Sequence, residues 1–130
     1  MLFLNAGGAL LLLPFLILFM LIAILLESWI MHLLRYRLFK KSLLPVSIAN
    51  LVSLFGGFGL IEVLGRIINA GQSTELLGLL ILFATTLILE GIVIYAFNRN
   101  KPFKQTAWVI LLMNISTYII YYLIFLMMLR

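Results

Sequence analysis

From Ala9 to Leu26 the chain runs through 18 residues without a single polar side chain. A 130-residue soluble domain cannot cover such a segment on every side, because small domains leave much of their surface in water. Three further apolar segments follow the first, which reaches Leu34: Ser42 to Val63, Leu76 to Phe97 and Thr106 to Leu129. Each reaches the roughly 20 residues that a helix needs to cross ~30 Å of hydrocarbon. An open sheet leaves backbone groups unsatisfied in lipid, so each span is expected to be a helix. Composition agrees: 65% of residues are hydrophobic and only 10% charged, against about a quarter charged in soluble domains. The expected fold class is therefore an all-α membrane protein of one domain over residues 1–130, excluding a nucleic-acid module, a disulfide scaffold or a soluble enzyme.

Orientation follows from charge. Arg35, Arg37, Lys40 and Lys41 lie between spans one and two, and Arg99, Lys101 and Lys104 between spans three and four. The middle connection, Leu64 to Glu75, has only Arg66, and Arg130 ends the chain. The positive-inside rule places the two basic loops in the cytoplasm and both termini outside. The membrane expected is a bacterial inner membrane or a thylakoid. Met1 to Gly8 lacks Lys and Arg, so the first span does not read as a cleavable signal. Trp29 and Trp108 lie toward the basic ends, as an inner aromatic belt requires. Pro14 is expected to kink span one. Ser42 is expected to cap span two with Pro45 in its first turn, and Ser73 or Thr74 to cap span three next to Glu75. Asn69-Ala70-Gly71 reads as the outer turn, and Glu62 and Arg66 can pair across one helical turn if span two extends that far.

The chain is also similar to itself. A shift of 63 places Glu27 on Glu90; a shift of 64 places Phe39-Lys40 on Phe103-Lys104, Ser42 on Thr106, Asn50 on Asn114 and Ser53 on Thr117. The unit is span, basic loop, span, so the expected architecture is four transmembrane helices as two tandem parallel-repeat hairpins. Glu27 precedes Arg35 by eight residues and Asn50 follows Lys41 by nine, so both lie roughly 12–14 Å from the basic loop. Glu90 and Asn114 stand at matching depth in the second hairpin. An intramembrane carboxyl is costly and faces protein or water. The expectation is an acid–amide clasp in each hairpin, Glu27–Asn50 and Glu90–Asn114; the alternative is a proton or cation path along the two carboxyls.

Ala49, Ser53 and Gly57 are spaced by four, a small-residue face on which another helix can pack closely. Gly56, Gly57 and Gly59 lack the strand–loop–helix setting of a phosphate loop. His32 is the sole histidine, and with no cysteine or aspartate there is no metal set and no expected cofactor. Tyr118, Tyr121 and Tyr122 lie inside span four and need hydrogen-bond partners, in a neighbouring span, another subunit or a bound pigment or quinone. The basic loops are suited to anionic lipid head groups, or more sharply to an acidic partner. No nucleic-acid-binding or enzyme signature is present.

The string Glu27, a basic turn, Lys41-Ser42 and then Asn50-Leu51-Val52-Ser53 resembles the opening hairpin of the cyanobacterial filament-integrity membrane proteins. That resemblance, over one hairpin, implies a role at a cell–cell junction. With so little chain outside the bilayer, the leading expectation is a non-enzymatic accessory or assembly subunit packing against other membrane-protein subunits or itself. The alternative is a small homo-oligomeric channel or transporter using the intramembrane Glu residues. A third alternative is a cofactor-contacting subunit of an electron-transfer assembly.

Overall fold

The computed structural model describes residues 6–70 and 75–128. They form four helices, α1 (Ala6–Leu33), α2 (Phe39–Ala70), α3 (Glu75–Phe97) and α4 (Phe103–Met128), with no strand among the described residues. Each helix contains a segment long and apolar enough to cross a membrane: Pro14–Leu33, Phe39–Val63, Leu80–Phe97 and Phe103–Ile124. Outward-facing Leu, Ile, Phe and Val side chains line all four, as a lipid-facing surface requires. The chain is an all-α, four-helix integral membrane protein.

Connections of only a few residues between consecutive helices force neighbours to run antiparallel. α1 packs on α2 and α4, and α3 packs on the same two, so the helices close into a ring. Both basic turns lie at one end of this ring, here called the basic end. Close to that end the interior is tightly packed by Met31, Val46, Ile94 and Met113, each fully buried, together with Val109, Ile110 and Tyr36. Gly56 brings α2 and α3 together, because its missing side chain leaves room for Leu89.

The end of α1 is built by a two-bond cap. The Tyr36 amide reaches back to the Met31 carbonyl (2.9 Å) and the Arg35 amide to the His32 carbonyl (3.0 Å). These are the paired bonds of a Schellman motif, and Met31 and Tyr36 supply its apolar contact in the core. The residue that must turn left-handed is Arg35, with φ of 53°, a place that glycine normally fills. α2 then starts at Phe39, three residues before the expected cap. Ser42 is therefore no N-cap: its hydroxyl donates back to the Phe39 carbonyl (2.6 Å) and across to the Ser28 carbonyl (3.3 Å). Pro45 consequently lies in the second turn, where its absent N–H leaves the Lys41 carbonyl without its helical donor. Arg37 fills that gap, its Nε donating to the Lys41 carbonyl at 2.8 Å.

At the other end α2 continues through Asn69 and Ala70, where the outer turn was expected to begin. Nothing between Val63 and Ala70 breaks a helix; Gly65 is only a weak former. Gly71, the proposed caps Ser73 and Thr74, and Leu129 and Arg130 lie outside the described residues. So does the side chain of Arg66, and with it the pairing to Glu62. α1 runs through Pro14 as one helix.

Because Arg35 holds a left-handed conformation that costs an ordinary residue about 1 kcal/mol, Arg35→Gly should stabilise the protein by about that amount. Denaturant or thermal unfolding in mild detergent measures it. A loss of stability would show that the turn is not left-handed.

Candidate functional site

Two carboxyl groups face the interior at mid-bundle. Glu27 is 1% exposed and Glu90 2%, a placement that lipid-facing side chains cannot have. An amide from the same hairpin meets each one: Asn50 Nδ2 donates to Glu27 Oε2 at 2.7 Å, and Asn114 Nδ2 to Glu90 Oε2 at 2.7 Å. Both amides also donate to the carbonyl one turn before them, Val46 and Ile110, each at 3.1 Å. That second bond fixes the amide rotamer, with its oxygen turned away from the carboxyl.

The second oxygen of each carboxyl is taken by the other hairpin. Thr117 Oγ1 donates to Glu27 Oε1 at 3.0 Å, and Ser53 Oγ to Glu90 Oε1 at 2.9 Å. Ser53 and Thr117 stand three residues after Asn50 and Asn114, so each amide and hydroxyl share one face of their helix. α2 thus gives its amide to α1 and its hydroxyl to α3; α4 gives its amide to α3 and its hydroxyl to α1. All four helices are tied in one closed network. The clasps expected within hairpins are only half of it. The crossing hydroxyls were visible in the sequence as the Ser53/Thr117 pair at the 64-residue shift, but which helix they reach depends on how the hairpins pack.

The network separates two unlike halves. Toward the basic end lies the packed core. On the opposite side lies a cavity of about 300 Å³ with Glu27, Glu90 and both amides at its floor. Gly57 lies on its wall, and nothing stands within 4 Å of the place a Cβ would occupy there. Of the small-residue face, Ala49 is buried, Ser53 is drawn into the network, and the close approach of helices is made by Gly56. Tyr121 closes the cavity between α4 and α1: its hydroxyl donates to the Phe19 carbonyl (2.6 Å) and its ring meets Phe19 edge-on. Tyr118 packs edge-on against Phe83 of α3. Tyr122 points outward, 62% exposed.

A second polar cluster holds the basic end. Arg37 Nη1 donates to the Phe97 carbonyl at 3.0 Å and to Asn98 Oδ1, which binds the first turn to the end of α3. A guanidinium there also complements the negative end of that helix. Asn98 Nδ2 donates to the Ile94 carbonyl (2.7 Å). The Tyr36 hydroxyl shares a hydrogen bond of 2.7 Å with Thr106 Oγ1, linking the same turn to α4. Burial pushes the Tyr36 phenol above its ordinary range, against the opposing effects of Thr106 and Arg37. Lys101 lies over the Tyr36 ring, 5.8 Å from its centre. Of the basic residues, Arg37 and Lys101 thus brace the turns, whereas Arg35, Lys40, Lys41, Arg99 and Lys104 are exposed. In the sequence nothing separates Arg37 from the six other basic residues of the two turns, and nothing marks Asn98. His32 is exposed, and no three His, Cys, Asp or Glu side chains among the described residues could hold a metal. No protein family, curated protein or solved structure matches this chain.

Hydrogen bonds between membrane helices contribute about 0.6–2 kcal/mol each. Double-mutant cycles should therefore give couplings of that size for Glu27→Leu with Thr117→Val, and for Glu90→Leu with Ser53→Ala. Unfolding in detergent reads both; additive effects at either pair would remove the crossing bonds.

Proposed function

We propose that the chain is a non-enzymatic accessory or assembly subunit that acts by lateral packing within a larger membrane-protein complex. One observation carries this reading. All four oxygens of Glu27 and Glu90 are held by donors from neighbouring helices, and the interior beyond them is closed by Met31, Val46, Ile94 and Met113. A carboxyl that loads and releases an ion needs access from both sides. These carboxyls instead hold the bundle as one body, which leaves the exterior as its working surface. That exterior is apolar along the helices and basic at one end. We further propose that the bundle arose by duplication of one hairpin, which the matched bonds at the 63- and 64-residue shifts support. By the positive-inside rule, the basic end faces the cytoplasm.

The cavity favours a second reading, an ion- or proton-coupled transporter entered from the side opposite the basic end. The two readings differ in what reconstituted protein does alone. Proteoliposomes carrying the subunit should show no pH- or cation-driven flux beyond empty vesicles, and Glu90→Gln should change nothing. Cross-linking and mild-detergent purification from native membranes should recover a stoichiometric membrane-protein partner. A flux abolished by Glu90→Gln would replace the first reading with the second, and a lone monomer in native membranes would remove the first.

A further inference from the structure

An apolar groove of about 470 Å³ runs along the outside of the bundle between α3 and α4. It exists because two facing positions carry almost no side chain, Gly91 on α3 and Ala107 on α4. The positions that the 63- and 64-residue shifts place opposite them in the first hairpin are Ser28 and Leu43. There Leu43 packs against the core and the Ser42 hydroxyl reaches the Ser28 carbonyl, so those two helices are drawn together. The groove therefore belongs to the second hairpin.

Two basic residues follow closely on its lining at the end nearest the turn. Arg99 follows the groove residue Tyr95 by four positions, just past the end of α3. Lys104, in the first turn of α4, precedes Ala107 by three and Leu111 by seven, and so lies on the same face of that helix. Both are exposed, and among the described residues neither has a hydrogen bond or ion pair. The neighbouring Arg37 and Lys101 are engaged with Phe97, Asn98 and the Tyr36 ring. An apolar slot at the depth of acyl chains, with two unengaged cations close in the chain to its end at the membrane surface, has the chemistry of a phospholipid with a negative head group.

We propose that this groove holds one anionic glycerophospholipid, an acyl chain lying over Gly91 and Ala107 and the phosphate between Arg99 and Lys104. The site is independent of the subunit role above, since it concerns lipid on the outer surface of the bundle.

Native mass spectrometry of the full chain tests it, with phosphatidylglycerol or phosphatidylcholine titrated into the detergent-purified protein. One phosphatidylglycerol should bind about 30-fold more tightly than phosphatidylcholine, the preference expected from two basic residues near a membrane surface. Arg99→Gln with Lys104→Gln should abolish that preference. Ala107→Leu, which copies the side chain of the first hairpin, should remove the bound lipid. Lys40→Gln with Lys41→Gln should leave binding unchanged. Unfolding midpoints matching the wild type show that each variant is folded, and a variant that fails this is replaced by Gly91→Ala, which fits within ordinary contact of Ile110 and narrows the groove. Equal binding of the two lipids, a preference lost equally in the Lys40/Lys41 variant, or a dimer that excludes lipid would each overturn the proposal.

Discussion

Two carboxyl groups buried in the middle of an otherwise apolar bundle set the terms for everything around them. In hydrocarbon an unpartnered carboxyl oxygen costs several kcal/mol, because no water can replace the missing donor. The chain meets this demand with four donors, one for each oxygen, two amides and two hydroxyls. Because each Glu takes one donor from its own hairpin and one from the other, the requirement to satisfy the acids is also the requirement to hold the hairpins together. In lipid, apolar burial gives helices little reason to associate, so polar bonds and close packing must supply it.

The basic end shows the same logic with different groups. Pro45 removes a helical donor, and the side chain of Arg37 replaces it while also holding the last carbonyl of α3. Tyr36 closes the cap of α1 and reaches Thr106 on α4. The first turn thus contacts every helix end on its side. Beside it, Met31, Val46, Ile94 and Met113 fill the interior, while the far half keeps a cavity. The bundle is tightly packed at one end and less filled at the other, with the acid network as the floor between.

The spans were legible because a 20-residue apolar run has few alternatives in water or lipid. The pairing of Glu27 with Asn50, and of Glu90 with Asn114, was legible because equal distances from a turn put residues at equal depth on adjacent helices. What the sequence withheld depends on tertiary choice. Thr117 bonds to Glu27, 90 residues away, only because α4 lies beside α1. The left-handed Arg35 gave no local signal, since glycine is the residue normally read there. The early start of α2 was hidden because Pro45 suggests a first turn, and its actual compensation comes from an arginine in the preceding loop. The small residues of α2 marked a packing face, but which of them makes the contact was decided by Leu89 on the next helix.

The most direct test of the acid network is a solid-state NMR measurement on bilayer-reconstituted protein. Glutamate carboxyl carbons and asparagine side-chain nitrogens would be isotopically labelled, with Glu62 and Glu75 replaced by Gln so that only Glu27 and Glu90 report. A measurable through-space carbon–nitrogen dipolar coupling at both carboxyls, lost at one when Asn50 is replaced by Leu and at the other when Asn114 is, is the expected result. Carboxyl carbons without such coupling, in a protein that still spans the bilayer, would contradict the account.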